Sequence, residues 1–235
     1  TDYNDQKADF SSYGKYTVDL GAPGVDVLST IPNSIEPWRG GYRFASGTSM
    51  ASPHVSGAAA LALSRFPSLT VDQLKGLLMN SVDKIPAMDG ITVTGGRLNV
   101  NNVLGTNFNV IAAPYNQRIT IGSSTAYTIT VASANNFSAP VALTLASPDT
   151  GITGSFSATP VTPPLNGTVS STLMLSTASA TPIGNYVLTI NGQDSAGEVR
   201  SANVVLEVVP DTDLTVTQVN GPSNAVTGGS ITITN

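Results

Sequence analysis

The chain has 235 residues, with 10 Lys and Arg against 15 Asp and Glu, so its formal net charge is −5. Only 11% of the residues are charged, against about 25% in an ordinary soluble domain, which excludes a basic surface for nucleic acid. The absence of Cys excludes disulfides, thiolate metal sites and a cysteine nucleophile. No apolar run reaches the ~18 residues that a membrane span requires.

Both ends of the chain read as the interior of a longer protein. Residues 1–5 are polar and acidic, with neither an initiating Met nor a signal peptide. Residues 229–235 stop within a strand-like alternation. We therefore expect a chain that is truncated at both ends.

The composition changes near Gly105, which predicts a domain boundary there. Residues 1–104 carry most of the charged side chains, whereas residues 105–209 carry few and are rich in Ser and Thr. We expect one domain at 1–104, a second at 105–209 and the start of a further β module at 210–235.

The first domain is predicted to contain short strands followed by helices. Alternating residues indicate strands at 17–20 and 25–28, on either side of a Gly- and Pro-containing turn. Residues 49–66 are small and apolar on nearly all sides, which is typical of a helix buried inside a domain. A second helix begins at Thr70, where Thr70 and Gln73 fit a capping box. Residues 97–104 could form a short third helix.

The second domain shows no helical period. Apolar residues alternate in about seven short runs, which Pro, Gly, Asn and Ser separate. This pattern predicts an antiparallel sandwich of immunoglobulin type, here without a Cys pair. Residues 214–217 begin a further strand-like run inside the third segment.

The segment from Gly47 to Gly57 carries the strongest chemical signal. A Gly permits a tight turn, and Ser49 then lies at the start of the apolar helix. A helix N-terminus presents free N–H groups and a positive potential, which suit an oxyanion that forms beside a nucleophilic Ser. The same position also fits a Ser that caps the helix, which is a common role for this residue. From the residues alone both interpretations remain open.

These eleven residues closely resemble the serine motif of the subtilisin-like serine proteases, the subtilases, and the resemblance extends through residues 1–104. It implies the C-terminal part of the α/β subtilase fold, followed by the all-β immunoglobulin-like sandwich. It also implies that Ser49 is the nucleophile of a serine endopeptidase and that its backbone N–H is an oxyanion donor. Thr48 would support that site, and Met50 would lie against the nucleophile. Trp38 and Tyr42 either line the substrate cleft on its leaving-group side or cover the core.

The chain departs from the family in its proton acceptor. Subtilases order their triad Asp, His, Ser along the chain, and neither an Asp motif nor a His motif precedes Ser49. His54 is the sole His, and on a helix it would lie about 140° around and about 7.5 Å along from Ser49. We therefore interpret His54 as a core or packing residue. The triad Asp and His, and the family's oxyanion Asn, are expected upstream, so that this fragment alone is inactive.

Other functional expectations follow from the resemblance. Subtilases often bind calcium, but the sequence identifies no cofactor and places no calcium ligand, so calcium is expected only in the full-length protein. The expected partner is a protein or peptide substrate, and the expected location is extracellular and bacterial. The β half resembles immunoglobulin-like modules of secreted bacterial enzymes and could bind a surface or polymer. The alternative function is a non-catalytic binding or spacer protein that carries an inert subtilase remnant.

Overall fold

The computed structural model describes residues 1–35, 38, 40–105, 107–146 and 151–211. The predicted β module at 210–235 lies outside the described residues, apart from Pro210 and Asp211. Within the described ranges, no helix is long and apolar enough to cross a membrane.

The N-terminal part combines three helices with two small antiparallel sheets. The first sheet pairs β1 with β2, and the second pairs β3 with β4. In chain order the elements are β1 (Val27–Thr30), β2 (Tyr42–Ala45), α1 (Thr48–Arg65), α2 (Val71–Asn80), β3 (Asp83–Lys84), a 3₁₀ helix (Pro86–Met88), β4 (Gly96–Arg97) and α3 (Val100–Leu104).

The prediction of strands at 17–20 and 25–28 was wrong for the first strand and shifted for the second. Residues 17–20 form no strand. Only the Val18 and Asp19 carbonyls bond to the neighbouring segment, where they accept from the Val93 N–H at 2.7 Å and the Thr94 N–H at 3.0 Å. The second strand begins later, at Val27, because Asp26 has a positive φ of 52° that ends the preceding turn.

The capping box at the start of α2 is confirmed. The Thr70 N–H donates to Gln73 Oε1 at 2.9 Å, and the Gln73 N–H donates to Thr70 Oγ1 at 3.3 Å. The third helix starts at Val100 rather than at 97, because the side chain of Asn99 caps it by accepting from the Asn102 N–H at 3.1 Å.

The helix predicted at 49–66 is formed at 48–65, but the described residues bury only part of it. Only Ala58 and Ala62 of α1 are fully buried, whereas Leu61 is 49% exposed and Leu63 is 38% exposed. The described part of the chain therefore covers one stripe of a helix whose composition suits burial on every side.

The β half consists of two four-stranded sheets that enclose one core. One sheet has the order β5-β7-β10-β9 and the other β6-β12-β11-β8, with antiparallel neighbours except for the parallel pair β6 and β12. This confirms a β-rich second half, while its immunoglobulin type stays a prediction. The strands are β5 (Phe108–Ala113), β6 (Asn116–Thr120), β7 (Ser124–Ser133), β8 (Val141–Ala146), β9 (Ile152–Phe156), β10 (Thr168–Thr177), β11 (Gly184–Asp194) and β12 (Val199–Val209).

A second core joins the two halves of the chain. It contains residues of all three helices together with Ile111, Ala132 and Ala134 from the β half. Polar contacts surround it, since Gln73 Nε2 donates to Thr130 Oγ1 at 2.8 Å and the Asn203 N–H donates to Asn80 Oδ1 at 2.6 Å. Every residue of β5 is consequently buried, because α2 covers the face that a lone sandwich would expose.

Gly76 permits the closest approach between α2 and β5. A Cβ on this residue would lie 2.5 Å from the carbonyl oxygen of Ala112. We expect Gly76→Ala to lower the free energy of unfolding by about 1–3 kcal/mol, because the strain exceeds the gain in helix propensity. Urea denaturation measures the change.

The matched control is Gly57→Ala in α1, where an added Cβ meets nothing within 4 Å. It should raise the free energy of unfolding by up to about 1 kcal/mol, the helix propensity gain. Equal effects of the two substitutions would contradict the close packing of α2 against β5.

Because Tyr127 is buried, we expect the free energy of unfolding to depend on pH in the alkaline range. Burial raises the pKa of its phenol well above the ordinary value, and its hydroxyl donates to the Val205 carbonyl at 2.9 Å. Its stabilising contribution is therefore complete below pH ~10, where the unfolded phenol titrates, and is lost as the pH rises further. Tyr127→Phe should cost about 1–2 kcal/mol at neutral pH through the lost hydrogen bond.

The same substitution should reduce the slope of unfolding free energy against pH above pH ~10. Denaturant titrations between neutral and alkaline pH measure both effects. An unchanged alkaline slope in Tyr127→Phe would show that other groups alone cause the loss of stability.

Candidate active site

The turn before α1 determines where Ser49 lies. Gly47 is the N-cap residue of α1, and no side chain caps the helix. Ser49 is therefore the second residue of the helix, and the interpretation of Ser49 as the N-cap was wrong. The Gly47 carbonyl instead accepts from the Met50 N–H at 3.0 Å and the Ala51 N–H at 3.3 Å.

A neighbouring turn holds Gly47 in place. The Gly47 N–H donates to the Gly24 carbonyl at 2.8 Å. A Cβ on Gly24 would lie 2.9 Å from the Gly47 oxygen and 3.2 Å from Ala51 Cβ. The pair needs a glycine at position 24 because the two backbones touch there.

A second contact joins Ser46, the residue before Gly47, to Asp26. Ser46 Oγ accepts from the Asp26 N–H at 2.8 Å and donates to the Asp26 carboxylate at 3.3 Å. Sequence reasoning did not identify this pair, because the two residues are 20 positions apart and belong to no motif.

Ser49 is exposed at the positive end of an 18-residue helix whose first turn holds no acidic residue. Its hydroxyl makes no hydrogen bond to another residue of the described ranges. Free N–H groups and the helix dipole favour negative charge at this position. The geometry thus suits an oxyanion, while the hydroxyl itself still needs a base to become a strong nucleophile.

His54 does not provide that base. Its Nδ1 lies 2.9 Å from the Met50 carbonyl oxygen one turn earlier in α1, so Nδ1 carries the proton that it donates. The imidazole is therefore oriented by its own helix, not by Ser49. Of the two interpretations of His54, core or packing residue, the first was wrong because His54 is exposed. The second stays a prediction.

Two of the other predicted site residues, Thr48 and Met50, lie at the same turn. Thr48 borders a cavity of about 220 Å³ together with Ser52 and Val55, and Met50 is half-buried with its sulfur beside Gly47. Trp38 and Tyr42 are both exposed. They do not cover the core, which leaves the interpretation that they line the cleft as a prediction.

The carboxylates of Asp5 and Asp83 serve local structure. Arg97 Nη2 bonds to Asp83 Oδ2 at 2.8 Å, and Nη1 of the same guanidinium bonds to Asp5. Sequence spacing gave no signal for this bridge, since Asp5 and Arg97 are 92 positions apart. Within the described ranges, no group of three or more His, Asp or Glu side chains lies together as a metal site would require.

Residues 1–107 match the model of the subtilase family, peptidase S8, a match that covers less than half of the chain. The chain is 40% identical over 92 residues to the minor extracellular protease Vpr of Bacillus subtilis, covering 37% of this chain and 11% of Vpr. It is 43% identical over 84 residues to subtilisin DY of Bacillus licheniformis, covering 36% of this chain and 28% of that protein.

Similarity to solved structures is weaker. The S-layer protein SbsC, domains 4 and 5, aligns with a TM-score of 0.32 and 15% identity, covering 44% of this chain and 53% of that one.

The chain thus spans only a small part of the length of the relatives that it matches. The resemblance carried by the segment from Gly47 to Gly57 is nevertheless confirmed, and residues 1–107 are similar in sequence to the subtilase family of serine proteases.

Proposed function

We propose that this chain carries the nucleophile of a secreted subtilisin-type serine endopeptidase. The observation that supports it is the position of Ser49, exposed in the first turn of α1 with an unengaged hydroxyl. The surrounding sequence matches the subtilase family. The substrate is a protein or peptide, and residues 1–104 belong to the catalytic domain.

The proposed reaction follows from this geometry. Ser49 Oγ attacks the carbonyl carbon of the scissile peptide while a base removes the hydroxyl proton. The tetrahedral oxyanion is stabilised by the Ser49 N–H and the helix dipole. Collapse of the intermediate breaks the C–N bond, and the proton passes to the leaving amine. Water then hydrolyses the acyl-enzyme and restores the Ser49 hydroxyl.

The base belongs to polypeptide beyond the described residues. His54 lies about 140° around α1 from Ser49, and the Ser49 hydroxyl makes no hydrogen bond to another described residue, so His54 does not accept its proton. The exposed apolar faces of α1, with Leu61 and Leu63, are a surface that the hydrophobic effect drives into contact with further chain. We propose that this further polypeptide covers α1 and supplies the triad His and Asp together with the oxyanion Asn.

The remaining site residues have supporting roles in this proposal. Thr48 stabilises the first turn of α1 from the cavity that it borders. Met50 packs beside the nucleophile turn, where its oxidation to a polar sulfoxide would impair the site. The exposed rings of Trp38 and Tyr42 line the leaving-group side of the cleft.

A fluorophosphonate probe tests the proposal, because it labels only an activated Ser. The 235-residue chain should remain unlabelled, whereas a longer polypeptide that includes the upstream region should be labelled. Ser49→Ala in the longer polypeptide should abolish labelling, and intact-mass spectrometry measures the adduct.

Ser56→Ala is the matched control, since Ser56 is an exposed Ser of the same helix and should not affect labelling. Labelling of Ser49 in the short chain would contradict the absence of a base. Persistent labelling in the longer Ser49→Ala variant would assign the nucleophile to another residue.

Gly24→Ala tests the contact that holds the nucleophile turn. The added Cβ would displace the Gly47 carbonyl and should cost about 1–3 kcal/mol of unfolding free energy. Hydrogen exchange at the Met50 and Ala51 amides should accelerate, because the Gly47 oxygen accepts from both. Unchanged exchange at these amides would show that position 24 does not hold the turn.

A non-catalytic binding or spacer role is the second candidate. The lack of a base within reach of Ser49 among the described residues favours it. In that case the longer polypeptide would also resist the fluorophosphonate.

A further inference from the structure

A groove lies where the N-terminal part of the chain meets the outer face of the β6-β12-β11 sheet. Its volume is about 740 Å³, within the range of small-molecule sites. We call it the junction groove and define it by Tyr16, Asp19 and Lys75 on one wall, and by Tyr115, Arg118 and Asn185 on the other. A second cavity of about 470 Å³ shares Tyr16 and Asn185 with it and extends it.

Two tyrosines give the groove aromatic surface. Tyr115 is only 9% exposed yet borders the groove, and its hydroxyl makes no hydrogen bond to another described residue. Burial, with a smaller contribution from the Asp19 carboxylate, raises the pKa of Tyr115, so the phenol remains a neutral donor. The hydroxyl keeps accessible surface, because it is not among the buried side-chain polar atoms of the described residues that have no partner. A ligand or water in the groove can therefore hydrogen-bond to it. Tyr16 is 70% exposed and adds a second ring at the rim.

The charges along the groove are paired. Lys75 Nζ lies 2.9 Å from Asp19 Oδ2 on one wall, and Arg118 Nε lies 3.7 Å from Glu207 Oε1 on the other. Each pair presents hydrogen-bond donors and acceptors without a net charge. The groove is therefore suited to a neutral ligand rather than to a phosphate or a charged polymer.

The uncharged polar side chains of the junction groove suit a ligand that carries hydroxyl groups. Asn116 and Asn185 border the groove, and neither side-chain amide bonds to another residue of the described ranges. An amide presents both donors and acceptors, as do the charge pairs beside it. Vicinal hydroxyls of a sugar match such a set, while the apolar C–H face of a sugar ring packs on an aromatic ring.

The groove borders the outward face of β11 and β12 and also the edge strand β6, to which a peptide could pair as a further strand. The polar groups described above belong to side chains rather than to the backbone of β6, and this favours a sugar over a peptide strand. We propose that the junction groove binds a neutral oligosaccharide. No residue of the groove belongs to the segment from Gly47 to Gly57, so this proposal does not depend on the protease activity.

Titration of the 235-residue chain with three neutral trisaccharides tests the proposal. The probes are cellotriose, maltotriose and triacetylchitotriose, and NMR chemical-shift changes measure binding. At least one should bind with a Kd of about 1 mM or tighter. Tyr16→Ala should raise that Kd about tenfold through the loss of ring contact, and Tyr115→Phe should raise it about fivefold through the loss of one hydroxyl.

Tyr3→Ala is the matched control, because Tyr3 is an exposed tyrosine that does not border the groove. It should leave the Kd unchanged. Tyr115→Phe retains the ring and the fold, so its effect on Kd reports the hydroxyl even if Tyr16→Ala alters the surrounding loop.

Three results would overturn the proposal. The first is no shift with any of the three sugars at about 10 mM, tenfold above the expected Kd. The second is binding that Tyr16→Ala and Tyr115→Phe leave as tight as in the unsubstituted chain. The third is binding of a hexapeptide of alternating threonine and valine that Tyr16→Ala weakens, with no response to any sugar.

Discussion

The contact between two glycine-containing turns positions Ser49. The Gly47 N–H bonds to the Gly24 carbonyl, and the touching backbones exclude any Cβ at position 24. Because Gly47 is the N-cap of α1, this contact also sets the origin of the helix and the exposure of Ser49. The positive end of the helix dipole therefore lies at Ser49. His54, one turn later, bonds to the Met50 carbonyl of the same helix.

The helix that begins at this turn connects the site to the rest of the molecule. Ala58, Ala62 and the adjacent Phe66 enter a core that also contains α2 and reaches Ile111 of β5. The β half is therefore packed against the helices and does more than follow them in the chain. The same packing that buries both faces of β5 also forms the junction groove, because α2 brings Lys75 opposite the β6-β12-β11 face. One interface thus contributes to stability and to the proposed sugar site.

Local signals predicted local structure well. The capping box at Thr70 and Gln73 lies within four residues, and it is formed as the sequence indicated. Alternation in residues such as Tyr127, Ile129 and Val131 predicted inward-facing positions of a strand, and all three are fully buried. The glycine-serine turn before α1 was predicted for the same reason, since its geometry depends on neighbours in the chain and on one nearby turn.

Features that depend on distant residues were not predicted. The bridge from Arg97 to Asp5 and Asp83 joins segments far apart in sequence, and no spacing rule indicates such a contact. Likewise β5 is buried on both faces only because α2 covers it. His54 was interpreted as a core or packing residue from its position on the helix relative to Ser49 and from the family resemblance, but its exposure depends on which faces of α1 other elements cover.

We propose that Ser49 is a nucleophile whose base lies on polypeptide that also covers α1. A crystal structure of the longer polypeptide measures both features at once. We expect an imidazole nitrogen of another His at ~2.6–3.2 Å from Ser49 Oγ, with Leu61 and Leu63 buried. A structure in which α1 stays exposed and no imidazole approaches Ser49 would contradict it.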